Sequence, residues 1–195
     1  MQEEMKTYQE LKEILLSIPN EQHQAMLCTI YACMARVSEV MIGRLDKTPS
    51  LKVEDLRLYP EEKLEIYVKT GKKGNPRKII LCYNREKWLI DIIVNWANKI
   101  DHGEMFPYTT SYAMKYFKKY FPEIKANRFD PTLSKHTIHW LRGWRYTHYR
   151  RGEITGKRVD SKIVSLLGGW VSSTVPERLY DFTKIDDYEK ELQNS

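Results

Sequence analysis

The sequence predicts an α+β protein that is mainly helical and carries a small antiparallel β-sheet. Apolar residues recur at helical spacing in two N-terminal segments and again over most of the chain after Asn84. Between these regions lie three short segments with alternating apolar residues and β-branched side chains, the pattern of strands. With 195 residues, the chain is long enough for one domain with a sizeable core.

Two helices are expected before the strands. The first runs from Met5 to Ile18 and stops at Pro19, after which Asn20 can cap the second. The second helix runs toward Arg36, and its apolar face is formed by Ala25, Met26, Ile30, Tyr31 and Met34. We therefore expect Arg36 at the end of a packed helix, which would hold its charge rigidly.

The remaining elements follow in chain order. Strands are expected over Leu51–Leu58, Lys63–Lys69 and Arg77–Cys82, with a turn over Thr70–Pro76. Helices are expected over Arg85–Ile100, Ser111–Phe121, Leu133–Arg151, Asp160–Leu167 and Pro176–Phe182. Loops are expected over Pro122–Pro131 and Gly152–Lys157.

The charge of the chain favours a polyanionic partner. Lysine and arginine number 32 against 26 aspartates and glutamates, a net charge of +6 with a pI near 9.1. One decapeptide on the predicted hairpin concentrates five cations, Lys69, Lys72, Lys73, Arg77 and Lys78, which suits a nucleic-acid groove as well as a solvated basic turn. The acidic N-terminus has no continuous apolar stretch, so neither a secretory signal nor a membrane span is expected.

His139 and Arg142 stand one helical turn apart and can address the same anion. Alone, such a pair also fits a surface contact or a satisfied buried histidine. His136 and His139 form a His-x-x-His, but no third ligand lies nearby, so no zinc site is expected. Cys28, Cys33 and Cys82 show no metal-binding spacing and are expected to be reduced and mostly buried.

Taken in order, these motifs resemble the tyrosine recombinases, the phage-integrase and Xer-like family. Ala35-Arg-Val-Ser-Glu39 is similar to the family's first arginine box, and His139-Trp-Leu-Arg142 to its His-x-Leu-Arg box. Leu167-Gly-Gly-Trp170 resembles the Leu-Gly-His box, where some members carry tryptophan, and Tyr180 falls where the nucleophile stands. The resemblance covers about Pro19 to Phe182.

The resemblance implies a catalytic-domain fold over residues 1–182 and a role for each matched residue. Tyr180 would be the nucleophile, His139 would accept its proton or hydrogen-bond to it, and Arg36, Arg142 and Trp170 would bind the DNA phosphate, with Glu39 in support. The hairpin lysine would protonate the leaving oxygen; Lys72 is the expected residue, with Lys69 and Lys73 as alternatives. DNA binding is expected from Lys73, Arg77 and Lys78.

Three features depart from the family pattern. The connections from Arg142 to Trp170 and from Trp170 to Tyr180 are longer than expected, and the doubled Gly168-Gly169 leaves the tryptophan match open by one residue. The family usually carries a separate N-terminal DNA-clamping domain, for which too few residues precede Arg36. The chain is therefore expected to be an excised catalytic domain or a minimal member.

The expected function is site-specific recombination or integration of double-stranded DNA through a 3′-phosphotyrosyl intermediate, with no metal, ATP or other cofactor. Alternatives are a non-catalytic DNA-binding regulator and a type IB topoisomerase-like relaxing enzyme. Expected partners are DNA and further subunits, in a synaptic tetramer that associates weakly when free. The tail, residues 183–195, is expected to dock on this domain or a neighbour through Ile185, Tyr188 and Leu192. A cytoplasmic, nucleoid-associated location is expected, or the host cytoplasm for a viral or plasmid source.

Overall fold

The computed structural model describes residues 5–42, 50–69, 76–125 and 137–170. Seven α-helices and one three-stranded antiparallel sheet lie in these ranges, which confirms the predicted α+β class. Over the same ranges, each helix is too short or too polar to cross a membrane. The expected helix over Pro176–Phe182, the tail and Tyr180 lie outside the described residues.

Three helices precede the sheet: α1 is Tyr8–Leu16, α2 is Glu21–Ala32 and α3 is a single turn, Val37–Val40. Asn20 caps α2 as predicted, because its side chain accepts from the backbone N–H of His23 at 2.9 Å. However, α2 stops at Ala32, and Arg36 is instead the N-cap of α3. The prediction that Arg36 ends the second helix was therefore wrong; a sharp turn intervenes.

The sheet has the order β1-β2-β3, with β1 at Leu56–Tyr59, β2 at Lys63–Val68 and β3 at Arg77–Cys82. Its inner face buries Leu64, Ile66, Val68, Ile79 and Leu81 against the helices. The strand predicted from Leu51 is shorter than expected. Residues Val53–Asp55 form a 3₁₀ turn, because the Asp55 carboxylate accepts from the backbone N–H of Lys52 at 3.1 Å.

Four helices follow the sheet: α4 at Tyr83–Ile100, α5 at Thr110–Tyr120, α6 at His139–Arg150 and α7 at Ser161–Gly168. Their positions confirm the predicted helices to within a few residues at the ends, and residues 133–136 of one prediction lie outside the described ranges. Every residue of α6 from Trp140 to Arg150 is buried. This helix therefore forms the centre of the domain and carries Arg142 into it.

An ion pair compensates the charge of Arg145, which α6 carries into the core. Arg145, on α6, donates through Nη1 and Nη2 to the two carboxylate oxygens of Glu86, on α4, and both side chains are almost fully buried. Arg145 Nη2 also donates to Tyr149 Oη at 2.8 Å. Because each charge is compensated, a highly polar helix can occupy the core.

Candidate functional site

The site is built around the turn that follows α2. Met34 adopts a positive φ of 44° there, in the left-handed region where glycine is usual. The N–H of Met34 donates to Tyr31 O and the N–H of Ala35 donates to Ile30 O, both at 3.1 Å, which is the bond pair of a left-handed helix C-cap. Full burial of the Met34 side chain offsets the strain of this conformation. The turn leaves the carbonyl oxygens of Cys33 and Met34 available to side chains from other elements.

Glu39 caps the start of α3 and also binds the Arg36 side chain. The backbone N–H of Arg36 donates to Glu39 Oε2 at 2.8 Å, and Arg36 Nη1 donates to Glu39 Oε1 at 3.2 Å. The Glu39 side chain is 2% exposed and that of Arg36 is 34% exposed. Glu39 thus fixes Arg36 from the interior, while part of the Arg36 side chain remains exposed, where an anion can reach it.

Arg77 enters the same cluster from β3. Its side chain points to the core and is only 5% exposed. Its Nη2 atom donates to Glu39 Oε2 at 3.0 Å, to Cys33 O at 3.1 Å and to Met34 O at 3.4 Å. A single guanidinium nitrogen therefore ties the sheet to the turn and to Glu39.

Arg142 reaches the turn from α6. Nη1 donates to Met34 O at 2.7 Å and Nη2 donates to Gly168 O at 2.8 Å. Both carbonyls lie at helix C-termini, where the partial negative charge of the backbone stabilises a cation. Arg142 Nη1 is also 3.9 Å from Glu39 Oε2. Arg142 is therefore held between the ends of two helices and beside the same carboxylate.

Trp170 covers Arg142, and the two preceding glycines make this possible. Gly169 has a φ of 72°, which reverses the chain after α7 and lets the N–H of Trp170 donate to Ser165 O at 3.0 Å. At Gly168, a Cβ atom would lie 1.7 Å from a carbon of the Trp170 ring. The ring lies with the Arg142 guanidinium carbon 3.9 Å from its centroid. Trp170 is thus the residue that this turn directs toward Arg142.

Three guanidinium groups and one carboxylate meet here, a formal charge of +2 for the four side chains. Burial alone would raise the pKa of the Glu39 carboxyl. The opposing effects of Arg77, Arg142 and the Arg36 N–H are stronger together, and they hold this pKa below its usual value. Glu39 is therefore ionised at neutral pH, and the four side chains keep a net positive charge that can attract a phosphate.

Of the other predicted site residues, the structure describes His139, Lys69 and Lys78. His139 is half-buried at the first position of α6, one turn before Arg142, as its spacing predicted. Lys69 Nζ pairs with Asp55 Oδ1 at 2.5 Å, and Lys78 Nζ pairs with Glu65 Oε2 at 3.2 Å. The alternative lysines Lys72 and Lys73 lie outside the described residues, as Tyr180 does.

The sequence motifs did not predict two features of the site, the burial of Arg77 and the turn at Met34. Arg77 was predicted to bind DNA with the other hairpin cations. It lies two residues before Ile79 and four before Leu81, and this alternation along β3 indicates that Arg77 shares their buried inner face. The left-handed turn at Met34 has no signal, because methionine is not a residue that favours positive φ.

Cys28 and Cys33 are buried and Cys82 is exposed, and all three are free thiols. Within the described ranges, no cluster of three or more histidine, cysteine, aspartate or glutamate side chains is arranged to hold a metal ion. No family model matches this chain, and a search of curated proteins finds no match either.

Proposed function

We propose that this protein is a site-specific DNA recombinase that cleaves and rejoins DNA through a 3′-phosphotyrosyl intermediate. The observation that carries the proposal is the convergence of Arg36, Arg77 and Arg142 on the buried carboxylate of Glu39. These residues come from three separate elements of the fold. Such a preorganised cationic cluster is suited to the charge that develops on a phosphodiester during attack.

In the proposed reaction, one bond to phosphorus forms and one breaks, and two protons are transferred. Tyr180 Oη attacks phosphorus while its proton passes to His139, and the bond from phosphorus to the 5′-oxygen breaks. A hairpin lysine gives a proton to that oxygen, which leaves as a 5′-hydroxyl. The ion pair of Lys69 with Asp55 favours Lys72 or Lys73 for this role. Rejoining reverses these steps, so the bond energy is conserved without ATP.

Arg36 is the residue best placed to bind the phosphate, because it combines solvent exposure with fixation by Glu39. Arg142 adds a buried positive charge, and the Trp170 ring shields one face of its guanidinium from water. Shielded charges interact more strongly than charges in bulk solvent, so this arrangement stabilises the transition state more than free arginines could.

The test begins with a target sequence. A random duplex library is enriched with the Tyr180→Phe variant, which keeps the binding surface but lacks the nucleophilic oxygen. Selected duplexes are then given a nick that lets the 5′-hydroxyl fragment diffuse away. The wild type should form a denaturation-resistant protein–DNA adduct, also in EDTA, and binding should weaken steeply with salt through counterion release. Cleavage that strictly requires Mg²⁺ would contradict the proposal.

One observation favours a second candidate, a DNA-binding regulator without cleavage activity. Arg142 is 2% exposed and donates to two carbonyl oxygens, so in this conformation it is buried and held by protein acceptors. A regulator would bind the selected duplex but form no adduct. A type IB topoisomerase-like enzyme would form an adduct and relax supercoiled plasmid, but would not exchange strands between two duplexes.

A further inference from the structure

We propose that Arg77 is a positioning residue for DNA cleavage and not a DNA contact, an inference that rests on the proposed recombinase function. Arg77 fixes the Glu39 carboxylate and the turn at Met34, and these two groups in turn fix Arg36 and Arg142. Its own side chain is 5% exposed, which leaves little of it for a DNA backbone to touch.

Arg77 shares hydrogen-bond acceptors with two other arginines. Glu39 Oε2 accepts from Arg77 Nη2 at 3.0 Å and from the backbone N–H of Arg36 at 2.8 Å. Met34 O accepts from Arg77 Nη2 at 3.4 Å and from Arg142 Nη1 at 2.7 Å. Arg77 thus shares Glu39 Oε2 with Arg36 and shares Met34 O with Arg142. Loss of Arg77 would let both acceptors move, and both arginines would move with them.

Arg77 also touches the turn that carries Trp170. A Cβ atom at Gly169 would lie 2.9 Å from Arg77 Nη1 and 3.1 Å from its Cδ, so the arginine packs directly against this glycine. The same side chain therefore contacts the turn after α2 and the turn after α7. These are the two turns whose carbonyls hold Arg142.

Stability alone does not favour arginine at this position. Arg77 Nε is buried without a hydrogen-bond partner among the described residues, so part of the guanidinium is desolvated without compensation. A whole buried ion pair can often be replaced by apolar side chains without loss of stability, whereas removal of one partner is costly when it leaves a charge uncompensated. Glu39 would still face Arg36 and Arg142 after loss of Arg77. What an apolar side chain cannot supply is the set of bonds from Nη2, and that set is what positions the site.

The experiment compares Arg77→Met and Arg77→Lys with the wild type on the same nicked duplex. Arg57→Met is the matched control, because Arg57 is an exposed arginine of the same sheet that lies over Tyr59. We expect Arg77→Met to bind DNA within about twofold of the wild type and to cleave about 100-fold more slowly, the scale of a misplacement near 1 Å. Arg57→Met should match the wild type in both measurements.

The pH profile of cleavage gives a readout that a merely structural role would not move. The charged groups facing Glu39 are Arg36, Arg77 and Arg142, and Arg77 is the strongest of those that lower the pKa of Glu39. Without Arg77 this pKa rises and Glu39 takes up a proton at higher pH, so the bonds from Arg36 to Glu39 lose the carboxylate charge and weaken. The acid limb of cleavage should therefore shift to higher pH in Arg77→Met and return in Arg77→Lys, which keeps the charge.

Each outcome decides the question. Parallel loss of DNA affinity and cleavage in Arg77→Met would make Arg77 a DNA contact, and wild-type cleavage or an unshifted acid limb would also overturn the proposal. If near-UV circular dichroism shows that Arg77→Met does not fold, Arg77→Lys decides, since an unchanged cleavage rate there contradicts positioning. Absence of any adduct from the wild type would overturn the recombinase function itself, a result distinct from these.

Discussion

The indole ring of Trp170 lies over the guanidinium of Arg142, with 3.9 Å between the ring centroid and the guanidinium carbon. The Trp170 ring makes a second contact with Tyr146, edge-on and with 5.9 Å between centroids. The stack depends on the backbone before it, because the ring folds back over Gly168. The doubled glycine therefore has a steric function at each position: Gly169 turns the chain, and Gly168 makes room for the ring.

We predict that Gly168→Ala lowers the cleavage rate about tenfold, since a desolvated cation–π contact contributes about 1–2 kcal/mol. The new Cβ would lie 1.7 Å from a Trp170 ring carbon, so the ring must leave Arg142. Single-turnover cleavage on the selected duplex measures the effect. In a Trp170→Ala background, Gly168→Ala should add almost nothing; an equal loss there would show that the glycine acts by another route.

Arg36→Ala should reduce cleavage by about 10²- to 10³-fold, the loss typical of removing one preorganised donor to a developing oxyanion. Arg36→Lys should recover little of this, because an ammonium cannot reproduce the guanidinium fork that bonds both Glu39 and a phosphate. Arg57→Ala, at an exposed site of β1, is the control. Full cleavage by Arg36→Ala would remove it from the site.

His148 should make folding stability depend on pH. It is fully buried and neutral, since Nε2 donates to Lys6 O at 2.8 Å and Nδ1 accepts from Tyr31 Oη at 2.8 Å. Burial lowers its pKa to about 3. Below the unfolded pKa of about 6.5, the unfolded chain binds a proton that the folded protein does not, so stability should fall by about 1.4 kcal/mol per pH unit as pH decreases.

Urea unfolding between about pH 7 and pH 5.5 measures this slope, above the range where most carboxylates titrate. His148→Gln should flatten it, whatever its effect on absolute stability. His102→Gln is the matched control, because the His102 side chain is 84% exposed. A slope that persists unchanged in His148→Gln would assign the pH dependence to other groups.

The buried pair of Glu86 and Arg145 should show strong coupling. Arg145→Met leaves an uncompensated carboxylate in the core and should lower the free energy of unfolding by about 3–5 kcal/mol. The double variant Glu86→Leu with Arg145→Met removes both charges and should be more stable than the Arg145→Met single variant. Urea unfolding of the four proteins gives the coupling energy. Additive losses would mean that the two charges do not depend on each other.

Much of the fold was predictable from local pattern. The helices α4, α5 and α7 and the strand β3 follow the apolar periodicity of neighbouring positions, and Asp160 also caps α7. The errors occur where a long-range contact decides the conformation. Met34 takes a left-handed turn that glycine would normally supply, and it does so because distant residues bury its side chain.

The candidate site likewise contains residues that local motifs predict and one residue whose position depends on long-range contacts. Arg36, Glu39 and Arg142 were predicted from short motifs that resemble those of the tyrosine recombinases, and the structure brings all three together. Arg77 was counted as an exposed hairpin cation, because the basic composition of the hairpin masks the alternation that buries it. Its bonds to Cys33 and Met34 span more than forty residues of sequence and could not be inferred from either segment alone.

The most direct test of the recombinase proposal is to identify the amino acid joined to DNA. Wild-type protein is trapped on the nicked duplex, digested with trypsin and nuclease, and analysed by mass spectrometry. Cleavage after Arg178 and Lys184 separates Tyr180, in Leu179–Lys184, from Tyr188, in Ile185–Lys190. We predict a nucleotide on the Leu179–Lys184 peptide and no adduct from Tyr180→Phe at equal DNA affinity. A duplex that is bound but never joined to any tyrosine would contradict the proposal.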